Sequence, residues 1–207
     1  MPNKKKSPAT SSPERRGELL SIAAEVFAAH GYDATTVRRI ADEAGMLAGS
    51  LYHHFDSKES MVDEILSTFL AGLRAAYDGV LGPGTGPDPG PGETIEALVT
   101  ESFRQIDRNR AAAAIYRKEA EHLSARPGFE YLADARAAFE EPWLRALERG
   151  VADGSFRADL DVPITARLLR DAVWGAASWY RPGAGQDPEE PARRCLSLIK
   201  DGITSRT

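Results

Sequence analysis

Thr35-Thr36-Val37-Arg38-Arg39-Ile40-Ala41-Asp42-Glu43-Ala44-Gly45-Met46-Leu47-Ala48-Gly49-Ser50-Leu51-Tyr52-His53-His54-Phe55 reads as two short helices joined by a glycine-containing turn. Thr35-Thr36 supplies an N-cap, because a short hydroxyl side chain can accept a hydrogen bond from a first-turn amide. A helix over 37–44 follows, with Val37, Ile40 and Ala41 on its inner face, and Gly45 stops it. A second helix, over roughly 48–55, begins after only a few residues. That spacing suits a helix-turn-helix, whose second helix enters a major groove while its neighbour braces the phosphates. On pattern alone, a structural helical hairpin with no nucleic-acid role fits equally well.

The residue types suit DNA. Ala48, Gly49 and Ser50 open the second helix with small side chains, which permits close approach to base edges. Tyr52 and His53 project beyond them and can donate hydrogen bonds. Thr36 and Arg38, on the preceding helix, are placed to reach phosphate or a flanking base. Lys58, in the first turn of the next helix, is placed to meet the backbone.

Outward from this stretch the pattern is helical throughout. Residues 1–12 form a basic, Lys-, Ser- and Pro-rich tail expected to be disordered. Ser12 before Pro13 and Glu14 starts a helix that His30-Gly31 ends. Asp56-Ser57 caps a long helix from Lys58, whose Met61, Ile65, Phe69 and Leu73 form an apolar stripe. Breakers crowd 82–92, which reads as a surface loop. Helices are expected over 93–109, 111–124, 130–152 (with Pro142 a potential kink), 162–180 behind an Asp161 cap, and about 188–203. Nothing alternates with period two. The expectation is an all-α fold of about nine helices. A helix-turn-helix domain at 13–58 precedes a larger ligand-binding and dimerisation domain at 59–207.

Composition narrows the function classes. The net charge is −5 over 207 residues, yet the first sixty carry eight basic and eight acidic side chains. The excess acid therefore lies in the rest of the chain, so a cation-edged N-terminal unit would approach DNA and the acidic body would not. A single cysteine, Cys195, excludes an intrachain disulfide and argues against a cysteine-built zinc site. With no bilayer-length apolar run and no signal-peptide pattern, a cytoplasmic protein without membrane contact is expected. A nucleophile elbow, a phosphate loop and a metal cluster are all missing from the sequence, so no catalytic residue, metal or cofactor is assigned.

Residues 16–66 resemble the DNA-binding domain of the TetR family of bacterial repressors. The resemblance rests on Leu19-Leu20, Ala23, Phe27 with Gly31-Tyr32, Thr35 to Ala41, Gly45, Gly49-Ser50-Leu51-Tyr52-His53-His54-Phe55 and Ser57-Lys58-Glu59. It implies a repressor that binds double-stranded palindromic operator DNA as a homodimer. One departure stands out: where the family often has Ser or Thr as N-cap of the second helix, this chain has Leu47. Losing such a cap costs about 1 kcal/mol.

The second half carries many aromatics, each fitting either core or ligand contact. Arg170 and Trp174, four apart on one helical face, fit a structural cation–π pair or a clamp for carboxylate, carbonyl or phosphate. Several further stretches are similar to an actinobacterial branch of the family: Arg15 to Leu20, Ile115-Tyr116, Glu119-Ala120, Phe156 to Asp161 and Trp179 to Gly183. That branch represses steroid ring-degradation genes and is released by a CoA thioester of a ring-opened steroid. Related repressors answer to fatty acyl-CoA. The resemblance implies that Arg170 and Trp174 line a ligand channel; Tyr116 and Trp143 complete the candidate set, with acyl-CoA as effector. The last two helices would form the dimer interface, with Leu196, Ile199 and Ile203 supplying apolar surface. Four alternatives remain: a repressor answering to an unrelated hydrophobic ligand, an activator with the same fold, an acyl-CoA-processing enzyme, and a sequence-independent DNA-compacting protein.

Overall fold

The computed structural model describes residues 12–82, 89–181 and 189–204. The basic tail before Ser12, the centre of the Pro/Gly loop, the Pro182-Gly183 stop and the Pro188 start lie outside the described residues. Among those described are nine helices: α1 Ser12–His30, α2 Val37–Glu43, α3 Ala48–Leu51, α4 Lys58–Leu81, α5 Pro91–Arg108, α6 Arg110–Ser124, α7 Tyr131–Ala152, α8 Val162–Trp179 and α9 Glu190–Ile203. They fall into two compact units, one ending at Ile65 and one beginning at Leu66. α4 thus gives its first two turns to the first unit and the remainder to the second.

The first unit is built on Leu19, Phe27, Tyr32, Ile40, Leu51 and Met61, all fully buried. Burying each such side chain contributes roughly 1.5–3 kcal/mol. α1 stops where expected: Gly31 takes φ +81°, and its amide donates to the Phe27 carbonyl at 2.8 Å. Gly45 takes φ +65° at the corner after α2. A side chain at either position would meet the left-handed penalty that glycine avoids.

In the second unit α5 packs on α7, α8 and α9, and α6 packs on α7 and α8. α5 is buried on enough of its circumference to include polar groups, Glu101, Ser102 and Gln105. They are partnered. The Ser102 and Tyr77 hydroxyls share a 2.7 Å hydrogen bond, and Gln105 Nε2 donates to Glu101 Oε1 at 2.9 Å. Partnering of this kind is what makes a buried polar side chain tolerable. α7 continues through Pro142, and Asp161 caps α8 by accepting from the Ile164 amide at 3.0 Å.

The turn after α7 is held by Phe156. Its ring lies so close over Gly150 that a Cβ there would stand 2.1 Å from Phe156 Cδ2. The Phe156 amide donates to the Gly150 carbonyl at 2.8 Å, and the Arg157 amide donates to the Ile203 carbonyl at 3.0 Å. The ring is only 3% exposed, so it cannot swing aside without leaving the core. Gly150→Ala is therefore expected to destabilise the protein by about 1–3 kcal/mol through overpacking. Urea unfolding would read this as a lower midpoint, with a conservative Ala152→Gly change at the exposed end of α7 as the comparison.

Candidate nucleic-acid interface and ligand cavity

α2 and α3 pack on each other as the helix-turn-helix spacing requires. Thr36 is the N-cap of α2, its Oγ1 accepting from the Arg39 amide at 3.2 Å. Ile40 and Ala41 face the core as expected, while Val37 is half-buried. Arg38 is exposed, with only a 4.0 Å ion pair to Asp42. Gly49, Tyr52 and His53 are exposed, and Ala48 and Ser50 are half-buried.

Two features of the reading element differ from expectation. The helix expected over 48–55 is only Ala48–Leu51. It tightens into a turn in which the His53 amide donates to Ser50 O and the His54 amide to Leu51 O. Leu51 and Phe55 are pulled inward by burial, and the chain between them closes around that anchor. The missing cap is real: Leu47 is the extended N-cap residue of α3 and makes no side-chain cap hydrogen bond.

Lys58, the expected phosphate contact, is half-buried: its Nζ donates to the Tyr32 carbonyl at 3.0 Å and stands 4.1 Å from the centre of the Tyr32 ring. The Tyr32 hydroxyl in turn donates to Glu59 at 2.6 Å, and this hydrogen bond is the largest cause holding the Glu59 carboxyl below its usual range. Arg16 pairs with Glu64 and lies 4.5 Å over the Phe55 ring. These contacts fasten α1 and the start of α4 to the reading element. Sequence spacing did not reveal them because their partners lie some 26 to 48 residues apart.

In the second unit a cavity of about 530 Å³ brings together Tyr116, Arg170 and Trp174. Leu73, Leu132 and Phe139 add apolar wall, and Arg117, Arg136 and Arg167 add cations. Phe69 lies edge-on to Trp174 at 6.1 Å and tilted against Tyr116 at 6.0 Å, fixing both rings. Burial pushes the Tyr116 phenol up from its ordinary value, with Arg170 and Arg136 pulling the other way. Three of the arginines meet carboxylates: Arg170 with Glu140 at 2.8 Å, Arg136 with Glu121 at 3.6 Å and Arg167 with Asp171 at 3.9 Å. The Arg170–Glu140 pair is the most enclosed of these. The paired nitrogen, Nη1, is buried and lacks the direction of a good hydrogen bond to the carboxylate, so this contact is a charge pair. Glu140 was not singled out in the sequence; nothing local links it to a residue thirty positions on.

Trp143 is placed elsewhere. It is fully buried and does not line the cavity. It continues the α7 face of Leu132, Arg136 and Phe139, but one turn further on, past the edge-on Phe139–Tyr77 pair at 5.8 Å. The indole approaches the Tyr77 hydroxyl without the geometry of a full hydrogen bond. Burial there pushes the Tyr77 phenol up to about 12.

Leu196, Ile199 and Ile203 also differ from expectation. They are buried within the chain itself, where α9 packs on α5, so they are not surface. The exposed large apolar side chains on α8 and α9 are Ile164, Leu168, Trp179 and Leu198. Trp179, Cys195 and Leu198 line an apolar hollow of about 610 Å³. Among the described residues there is no group of three or more His, Cys, Asp or Glu suited to a metal, and no helix long and apolar enough to cross a membrane.

Comparison with known proteins addresses both units. A family model described as bacterial regulatory proteins, tetR family, matches residues 19–65. A second, described as a tetracyclin repressor-like C-terminal domain, matches residues 88–203. The HTH-type transcriptional repressor KstR2 of Rhodococcus jostii is 51% identical over 191 residues, covering 92% of each chain. The repressor of the same name from Mycobacterium tuberculosis H37Rv is 43% identical over 190 residues, covering 92% of this chain and 93% of its own. The solved structure of the ketosteroid transcriptional regulator KstR2 of M. tuberculosis superposes with a TM-score of 0.85 at 41% identity, covering 97% of this chain and 99% of that one.

Proposed function

The chain belongs to the tetR family of bacterial regulatory proteins, and from that premise we propose that it is a DNA-binding transcriptional repressor released from its operator by a CoA thioester, steroid-derived or fatty acyl. Relatives named as transcriptional repressors, one of them a ketosteroid regulator, support the repressor role and the steroid direction. They also set aside the enzyme reading.

The observation that carries the ligand class is the cavity's composition. Apolar and aromatic walls, Leu73, Phe139 and Trp174, meet a cluster of four arginines. A ligand matching that arrangement has an apolar body and several anionic oxygens. A CoA thioester has both, and guanidinium forks suit phosphate oxygens. The carboxylates already beside three of those arginines mean that an anionic ligand has to displace or outbid them.

The protein acts as a homodimer on a palindromic operator, as twofold repressors do. The exposed Leu168, Trp179 and Leu198 on α8 and α9 supply an apolar surface for a second copy. α4 has residues in both units and is the covalent path by which a filled cavity alters the reading head. A coupling of only about 1–3 kcal/mol changes operator affinity 5- to 150-fold.

The test is a fluorescence-anisotropy titration of the protein on the duplex upstream of its own gene, with decanoyl-CoA, a steroid-derived CoA thioester, free CoA and the free acids added separately. Release by a thioester and not by the free acids is the expected result. Release by none of them would leave the repressor and remove the CoA thioester.

A further inference from the structure

Among the described residues up to Ile65, the exposed large hydrophobic side chains are Leu47, at 80%, and Tyr52, at 54%, and they bracket α3. A single exposed leucine is ordinary on a protein surface, but Leu47 is unfavourable twice over. It leaves α3 without a side-chain cap, where Ser, Thr, Asp or Asn would satisfy an orphan amide. It also holds an apolar side chain in water. Local rules broken together, with no compensating contact inside the protein, mark a position shaped by what it meets.

The chemistry of its surroundings narrows the partner. From Ala44 to Phe55 there is no Lys, Arg, Asp or Glu. The reading element therefore cannot make the arginine–guanine or carboxylate–cytosine contacts that dominate major-groove recognition. What it presents is apolar Leu47, the small Ala48 and Gly49, and the hydrogen-bonding tips of Tyr52 and His53. The one apolar feature a base pair shows in the major groove is the thymine 5-methyl group. Small neighbours on the C-terminal side of Leu47 leave room for the approach. The Leu47 backbone is extended, at φ −74° and ψ 141°, outside the helical turns that follow it.

We propose that Leu47 reads a thymine methyl group in the major groove of the operator, and so sets specificity at that base pair. The inference rests on the DNA-binding reading of this unit. It makes the uncapped start of α3 the cost of a base contact. Tyr52 and His53 then read neighbouring positions by hydrogen bonding.

The experiment uses the full chain and a duplex selected by the wild-type protein from a random pool. Each thymine in turn is replaced by deoxyuridine, which removes only the methyl group. Wild type is expected to lose about fourfold in affinity at one such position in a half-site, the change for one buried methyl-sized group. Leu47→Ala is expected to bind more weakly overall and to lose that dependence, while Leu47→Met, which stays apolar, keeps it. Leu47→Ser, which restores a capping side chain, is expected to melt no lower than wild type and yet be blind to the methyl. Melting curves for all three variants separate misfolding from lost contact. If wild type selects a duplex but no uracil position depends on residue 47, the proposal is overturned and the DNA-binding reading stands. If wild type selects no duplex at all, the DNA-binding reading falls and the proposal with it.

Discussion

Trp143→Ala is expected to lower the unfolding free energy by about 3–5 kcal/mol, the usual cost of deleting a large aromatic from a core. The indole is fully buried, and it sits one turn beyond the edge-on Phe139–Tyr77 pair. For a chain of this size the melting temperature should fall on the order of 10 °C. Tyr77, whose hydroxyl shares a hydrogen bond with buried Ser102, would also lose a neighbour. The ligand response is expected to behave differently. Trp143→Phe fills most of the volume, and its folded form should bind the effector within about twofold of wild type. A large loss of effector affinity in a fully folded Trp143→Phe would put this residue back at the ligand.

Arg170→Ala is expected to have the opposite profile. Operator affinity in the absence of ligand should be nearly unchanged, because Arg170 lies in the second unit, remote in sequence from every residue that reads DNA. Effector affinity should fall roughly 10- to 100-fold, since hydrogen bonds to charged groups are worth about 1.5–3 kcal/mol. Arg170→Lys should recover little of it, because an ammonium cannot reproduce the planar fork. Glu140→Gln separates two roles for the carboxylate that Arg170 now faces at 2.8 Å. If Glu140 competes with an anionic ligand, the neutral variant binds the effector more tightly. If it serves to aim the guanidinium, binding weakens. The cavity geometry favours competition, because the paired nitrogen makes a charge contact without good hydrogen-bond direction. Calorimetric titration of the three variants with the same CoA thioester reads all of these effects.

What could be read in the sequence was local. Gly31 ends α1, Thr36 caps α2, Asp161 caps α8 and Leu47 fails to cap α3, because each depends on residues within one turn. The membership of the cavity was partly legible, since Arg170 and Trp174 share a helical face and Tyr116 belongs to a recognisable stretch. What escaped depends on the tertiary fold. Lys58 has the position of a phosphate contact, and spacing alone does not show that its ammonium also engages the Tyr32 carbonyl and ring, 26 residues away. Trp143 is an aromatic on the correct face of α7 and one turn too far along it. Leu196, Ile199 and Ile203 have the spacing of an interface stripe, yet α5 covers them. In each case periodicity identified the face, and only the fold identifies what lies against it.

Coupling between the cavity and the reading head is most directly tested by its reciprocity. The affinity of the protein for a CoA thioester should be measured by calorimetry alone and with saturating operator duplex. If the thioester weakens operator binding by some factor, saturating operator must weaken thioester binding by the same factor, expected to lie between about 5 and 150. Equal thioester affinity in the presence and absence of operator would contradict the coupling, and with it the reading of this chain as a ligand-released repressor.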